Sequence, residues 1–312
     1  MSRRNGILFL TLVTLLWGVS FCLTKALHSR GESTFAFTAG ALALRLALAG
    51  VVIWAWAIWR GGRRFPTRDE WVQGLWIGTF AGLGLLFQAE GINHTHASTA
   101  AFLTQAATVF VPIWVFVRTR QRPDRLLFVA LAFVLLGLGI LSGFNPLAFR
   151  VGYGEAAVLV SAAFFAGMIL TIESHRHAHN DKRVVAALFM IVAAGWSGLS
   201  AWPLGARWEE FTVLFQPEAM VVFLILALLC TGLSFLWMTE YQPAISSTEA
   251  GVLYCLEPVW ASLFSLFLPH ILAGALGIQY ANEQVTLAMV AGGSAVLIGS
   301  VLLAVRPAPT LT

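Results

Sequence analysis

The chain has 312 residues, of which 58% are hydrophobic and 11% charged, with a formal net charge of +4 and a mean hydropathy of +0.80. A soluble domain carries about 25% charged residues, so this composition excludes an ordinary soluble globular protein and indicates an all-α polytopic membrane protein. The positive balance reports orientation in a bilayer rather than affinity for nucleic acid.

A spanning helix takes about 20 apolar residues. Ten segments meet that demand in chain order: 7–27, 35–59, 71–90, 95–117, 125–142, 154–173, 184–203, 218–239, 245–268 and 285–305. The first follows the basic start "MSRRN", as a signal peptide would. Its apolar stretch outruns a signal-peptide core of about 7–15 residues, so it is expected to remain as a helix. Strands are not expected, because the runs are leucine-rich and lack alternation of period two. With the N-terminus inside, fourteen Lys and Arg residues fall on the inner side and four on the outer, with Arg45 alone inside a span. That bias predicts ten spans with both termini cytoplasmic.

A shift of 150 residues lays "FQAEGINHTHASTAAFL" (87–103) on "WMTEYQPAISSTEAGVL" (237–253) without a gap, matching Glu90 to Glu240 and Leu103 to Leu253. At a shift of 148, "TLLWGVSF" (14–21) lies on "AAFFAGMI" (162–169). The predicted organisation is a five-helix repeat over 1–143, a second over 152–305 and a short cytoplasmic tail over 306–312. An odd number of spans inverts the second repeat relative to the first, an arrangement that secondary transporters use to alternate access to a midplane site.

Polar residues at membrane depth are the candidate site. In "GVLYCLEPVWASLFSLF" (251–267), Glu257 lies near the bilayer centre, where an acid costs about 2.5–3.5 kcal/mol. It either faces a hydrated cavity or is held protonated by a neighbouring acceptor. Pro258 cannot donate to the carbonyl of Tyr254 one turn back, so Tyr254, Glu257 and Pro258 suggest a kinked cavity wall. Arg45 calls for a partner at its depth, with Glu90, Glu249 and Glu257 as the acidic candidates; a salt bridge, carbonyl contacts and direct substrate contact are the alternatives. Gln88 and Gln105 bond either substrate or a neighbouring helix. Glu90 and Glu240 occupy equivalent helix ends, as gates at a cavity mouth or as solvated termini. Trp17 and Trp237 lie deep enough to form an aromatic floor or to pack against lipid. Gly137, Gly139, Gly292, Gly293 and Gly299 permit close helix approach, and the fifth and tenth spans are expected to brace their own halves.

Cys22, Cys230 and Cys255 all sit in apolar runs, with no disulfide or metal spacing. His175, His177 and His179 in "SHRHAHND" lack the ligand spacing of a metal site. No phosphate loop is present, and no cofactor is expected.

The motifs "LLWGVSF" in the first span, "RLALAG" (45–50) in the second, "LEPVWASL" (256–263) in the ninth and "VAGGSAVLIGSVLL" (290–303) in the last resemble those of EamA-type transporters of the drug/metabolite transporter superfamily. The resemblance covers nearly the whole chain. It implies ten helices in two inverted repeats and export or exchange of small metabolites. Two departures stand out: a Gly-Glu pair common after the fourth and ninth helices is missing, and an extra stretch, "PHILAGALGIQYA" (269–281), follows the ninth.

The expected function is a secondary transporter, not an enzyme, with amino acids or amphiphilic compounds among its small-molecule cargo. The lipid bilayer is its surroundings, in the plasma (inner) membrane. Proton coupling through Glu257 and proton-independent exchange both fit. A membrane receptor or scaffold and an intramembrane lipid-modifying enzyme are the alternatives.

Overall fold

The computed structural model describes residues 2–30, 34–61, 65–94, 97–120, 125–141, 143, 151–173, 177–203 and 205–304. The tail over 306–312, the linker 144–150 and His175 lie outside these. No strand occurs among the described residues.

The chain forms α1 (Arg3–His28), α2 (Phe35–Trp59), α3 (Arg68–His94), α4 (Ala97–Thr104), α5 (Ala107–Thr119), α6 (Arg125–Leu141), α7 (Tyr153–Glu173), α8 (Lys182–Ala201) and the single turn α9 (Trp208–Phe211). There follow α10 (Pro217–Leu224), a π-helix (Ile225–Leu233), α11 (Ser234–Tyr241), α12 (Ser247–Tyr254), α13 (Glu257–Ser265), α14 (Leu268–Leu276) and α15 (Leu287–Ala304). Local chemistry sets several starts. The Ser2 and Thr34 hydroxyls accept from the N–H groups of Asn5 and Phe37, and the Asp181 carboxylate from that of Arg183. Thr67 and Glu70 cap α3 reciprocally, at 3.2 and 2.7 Å, as Thr-x-x-Glu sequences do.

Six helical segments are long and apolar enough to cross a membrane: Arg3–His28, Phe35–Trp59, Arg68–Gly91, Tyr153–Glu173, Lys182–Ala201 and Pro217–Ala244. A seventh, Ser247–Ser265 with Leu268–Leu276, is bent by 62°. The remaining apolar stretches, Phe102–Val117, Arg125–Leu141 and Leu287–Leu302, are shorter. The ten full-length spans read from the sequence thus become six or seven by length. The bend in the ninth segment, and the shortness of the fourth, fifth and tenth among the described residues, account for the difference.

Close backbone approaches at glycine reveal the run of each helix. A Cβ on Gly137 would lie 2.5 Å from the Gly292 carbonyl oxygen, and one on Gly299 would lie 2.6 Å from that of Ala130. Helices α6 and α15 are therefore antiparallel and packed almost backbone to backbone. Gly50 meets Ala187 and Met190, and Gly198 faces Ala43, so α2 and α8 are antiparallel too. Gly84 against Phe165 and Gly91 against Val158 make α3 and α7 antiparallel. By contrast, Gly74, Gly78 and Gly82 meet Leu188, Val192 and Trp196 in order, so α3 and α8 run parallel. The sequence expectation that the fifth and tenth spans each brace their own half is corrected here: α6 and α15 brace one another, because their glycines face across the pair.

Two apolar clusters fill the bundle. The larger joins α1, α2, α5, α7, α8 and α12 around Phe189, Leu46 and Tyr254. The smaller gathers Cys22, Phe37, Phe211, Cys230 and Leu272 at the end where α1 stops. The extra stretch after the ninth segment contributes α14 to this end, with Leu272 and Leu276 buried. Gly277 ends α14 in the left-handed conformation, φ 64°, as a helix C-terminus commonly demands. The following loop is tied down by Glu283, whose N–H donates to Ser265 O at 2.9 Å and whose Oε2 accepts from Ser265 Oγ at 3.0 Å.

Candidate functional site

The breaks at Gln105–Ala106 and Cys255–Leu256 lie 150 residues apart and share one hydrogen-bond pattern. Gln105 N donates to Phe102 O, Ala106 N to Leu103 O, and Phe110 N to Ala106 O. Cys255 N donates to Val252 O, Leu256 N to Leu253 O, and Trp260 N to Leu256 O. The two breaks also touch. Thr108 Oγ1 donates to Gly251 O at 3.0 Å and lies 3.0 Å from Cys255 Sγ. The Cys255 thiol reaches Gln105 Oε1 at 3.5 Å. Buried interrupted helices leave backbone groups that need such partners, and Thr108 is fully enclosed.

Around this crossing stands an aromatic and hydroxyl cluster. Trp17 Nε1 donates to Ser234 Oγ at 3.0 Å, and its ring lies 5.3 Å from that of Tyr254 and 5.5 Å from that of Phe235. Tyr254 OH donates to Gln242 Oε1 at 2.7 Å, and Gln242 Nε2 donates to Ile169 O at 2.7 Å. Trp260 Nε1 donates to Thr14 Oγ1 at 3.2 Å. Trp237 packs edge-on to Phe9, near one end of α1 rather than in this cluster. Gln88 donates to Thr104 Oγ1 at 3.1 Å, joining α3 to the end of α4 beside the first break.

Glu257 opens α13, one residue beyond the second break. It keeps some accessible surface while Tyr254, Cys255, Leu256 and Val259 around it are buried, and no hydrogen bond or ion pair holds it among the described residues. Pro258 stands in the first turn of a new helix, just after the interruption at Cys255–Leu256, where its missing N–H is no loss. The equivalent break at Gln105 has no proline beside it, so the interruption does not depend on Pro258.

Arg45 is corrected in its partner. None of Glu90, Glu249 and Glu257 pairs with it. Glu249 is taken by Arg3, whose Nη2 donates to Oε1 at 2.8 Å, and Glu90 by His94 at 3.1 Å and the Tyr153 hydroxyl at 3.3 Å. Arg45 Nε is buried without a hydrogen-bond partner. Glu240, the sequence counterpart of Glu90, has no ion pair among the described residues, so the two carboxylates are not held alike.

At the end where α1 begins, the chain is fastened. Glu249 is buried, accepts from Arg3, and completes a capping box with Ser246. Ser247 N donates to Glu173 Oε2 at 2.9 Å, tying α12 to α7. At the opposite end Lys25 sits over the Tyr280 ring at 5.4 Å. Burial, with Cys22 and Glu283 beside it, holds the Tyr280 phenol well above its ordinary pKa. His179 Nε2 lies 3.1 Å from Asp69 Oδ2, and His177 Nδ1 3.9 Å from it; no metal-ligand group occurs among the described residues.

Sequence reading missed Thr108, Ser234 and Gln242 as parts of the centre. Small hydroxyls and an amide next to a proline carry no signal of their own. It also missed the Glu249 capping box, which "SSTE" (246–249) does announce.

Residues 4–143 match the family model described as the EamA-like transporter family. Two uncharacterized transporters of Archaeoglobus fulgidus are similar along most of their length. One is 25% identical over 273 residues, covering 83% of this chain and 88% of the relative. The other is 29% identical over 273 residues, covering 85% and 78%. The uncharacterized inner membrane transporter YicL of Salmonella typhimurium is 24% identical over 276 residues, covering 86% and 88%. A solved crystal structure superposes with a TM-score of 0.71 over 96% of both chains at 19% identity, a likeness of fold alone.

Proposed function

We propose that this membrane protein, whose residues 4–143 match the EamA-like transporter family and whose relatives are named transporters, is a secondary carrier that exports or exchanges small metabolites by alternating access. Residues 1–143 and 152–305 are its two inverted five-helix repeats, ten spans in all, with both termini and the tail cytoplasmic. The relative named as an inner membrane transporter supports the same membrane for this chain. The antiparallel pairs α2 with α8 and α6 with α15 support the inversion, since each pair joins equivalent segments of the two repeats.

One observation carries the reading: two helix breaks, 150 residues apart and sharing three equivalent backbone hydrogen bonds, meet in the interior beside an acid unpaired among the described residues. Broken helices bound the midplane sites of secondary transporters. Trp17, Tyr254 and Gln105 form the wall of the site and Glu257 its titratable group, with Arg45 toward one mouth. Gln88 and Trp237 belong to the surrounding frame. Glu90, Glu240 and the Pro258 turn take part in opening the two sides.

Counterflow in proteoliposomes tests this directly. Vesicles loaded with unlabelled amino acids, nucleobases or amphiphilic amines should accumulate external label of a transported compound. No counterflow across all three classes would favour a receptor or scaffold. If a proton is the coupling ion, an imposed pH gradient drives uptake in the wild type and not in Glu257→Gln, while exchange persists in both.

A further inference from the structure

Arg45 is a cation inside an apolar span for which the described residues supply no anion. Its Nε is buried and unpartnered, and it makes no ion pair among the described residues. The π-helix packs on α2 one turn beyond Arg45, where a Cβ on Gly232 would lie 3.6 Å from Ala49 Cβ. By contrast Arg3, at the start of α1, has a buried carboxylate against it. A guanidinium at membrane depth is costly unless it is paired, and its planar fork matches a carboxylate or phosphate.

A second feature converges on the same place. Residues Ile225–Leu233 form a π-helix, with Thr231 Oγ1 donating five residues back to Leu226 O at 2.8 Å. Such widened turns are rare and often mark functional positions. This one carries the buried Cys230. One turn further, Ser234 Oγ donates to Cys230 O at 2.7 Å and accepts from the Trp17 indole. Arg45, the π-helix and Trp17 therefore line one continuous wall between α1, α2 and the 217–244 segment.

We infer that Arg45 and the π-helix form an anion subsite, which holds the carboxylate or phosphate of a small substrate whose apolar part rests on Trp17. The assignment rests on the carrier reading for its location, and it narrows the cargo to molecules bearing a negative group.

Its test is equilibrium binding by the full chain in detergent, with no transport required. Three matched probes are used: phenylacetate, phenethylamine and 2-phenylethanol. Phenylacetate should raise the thermal midpoint of the wild type and the other two should not. Arg45→Gln should weaken the phenylacetate response by roughly 10- to 100-fold, the loss of one charge-assisted bond, and Arg45→Lys should retain part of it. Cys230→Asp gives Arg45 an internal partner, so it should raise the midpoint of the unliganded protein and abolish the anion response. This variant keeps the test decisive if Arg45→Gln fails to fold. A larger response to the amine, an anion response unchanged in Arg45→Gln or Cys230→Asp, or no response to the anion would overturn the subsite. So would a response confined to micellar phosphatidylglycerol, which would assign Arg45 to lipid. A protein that performs counterflow yet ignores phenylacetate rejects the subsite and leaves the carrier standing.

Discussion

Thr108 and Cys255 meet at 3.0 Å across the two helix breaks, joining the halves of the chain at their equivalent interruptions. Thr108 also satisfies the Gly251 carbonyl that the second break leaves open. Thr108→Val keeps the shape and removes the hydroxyl, stranding a buried acceptor. It should cost about 1–3 kcal/mol, read as a lowered midpoint in thermal or denaturant unfolding. Thr108→Ser, which restores the donor, should recover most of the loss. Equal stability of Thr108→Val and wild type would contradict the bridging role.

The α6–α15 contact makes a sharp contrast between glycines two residues apart. A Cβ at Gly137 would press on Gly292 O and Val296, whereas one at Gly139 meets nothing within 4 Å. Gly137→Ala should destabilise by about 1–3 kcal/mol through overpacking. Gly139→Ala should be neutral or slightly stabilising, because alanine favours helix. Thermal midpoints of the two variants in one detergent decide the matter.

Arg3 and Glu249 fasten the start of α1 to the start of α12. A double-mutant cycle of Arg3→Gln and Glu249→Gln should return a coupling of about 1–3 kcal/mol, as hydrogen bonds to charged groups do. A coupling near zero would make the pair incidental. Since this contact closes one end of the bundle, both single variants should also increase labelling of residues near Ser246 by water-soluble reagents.

Tyr280 provides a pH signature at the other end. Its folded-state pKa is raised by burial and by Cys22 and Glu283 nearby. The folded protein thus holds a proton that the unfolded chain releases above about pH 10. Stability should be fully present below that value and should fall as pH rises beyond it. Tyr280→Phe should flatten the decline, measured as unfolding midpoints between neutral pH and pH 11.

The sequence made the membrane class and the apolar segments readable, because hydropathy needs no tertiary information. Glu257 stood out for the same reason, as a charge in an apolar run. The break at Gln105 did not, since no proline or glycine marks it and only contact with its counterpart at Cys255 reveals it. The π-helix was hidden because a bond five residues back has no compositional trace. Arg45 was visible as a charge but not as an unpaired one, because Glu249 and Glu90 find partners through folding that spacing cannot foresee. The glycines of α6 and α15 signalled close approach without naming the partner helix.

In the proposed carrier, Glu257 borders a cleft that opens to each side of the membrane in turn. The most direct measurement replaces Cys22, Cys230 and Cys255 with alanine, introduces Glu257→Cys, and labels oriented vesicles with a membrane-impermeant thiol reagent from either face. The account predicts modification from both sides, with transported cargo slowing it. Modification from neither side, or from one side alone under every condition, would contradict it.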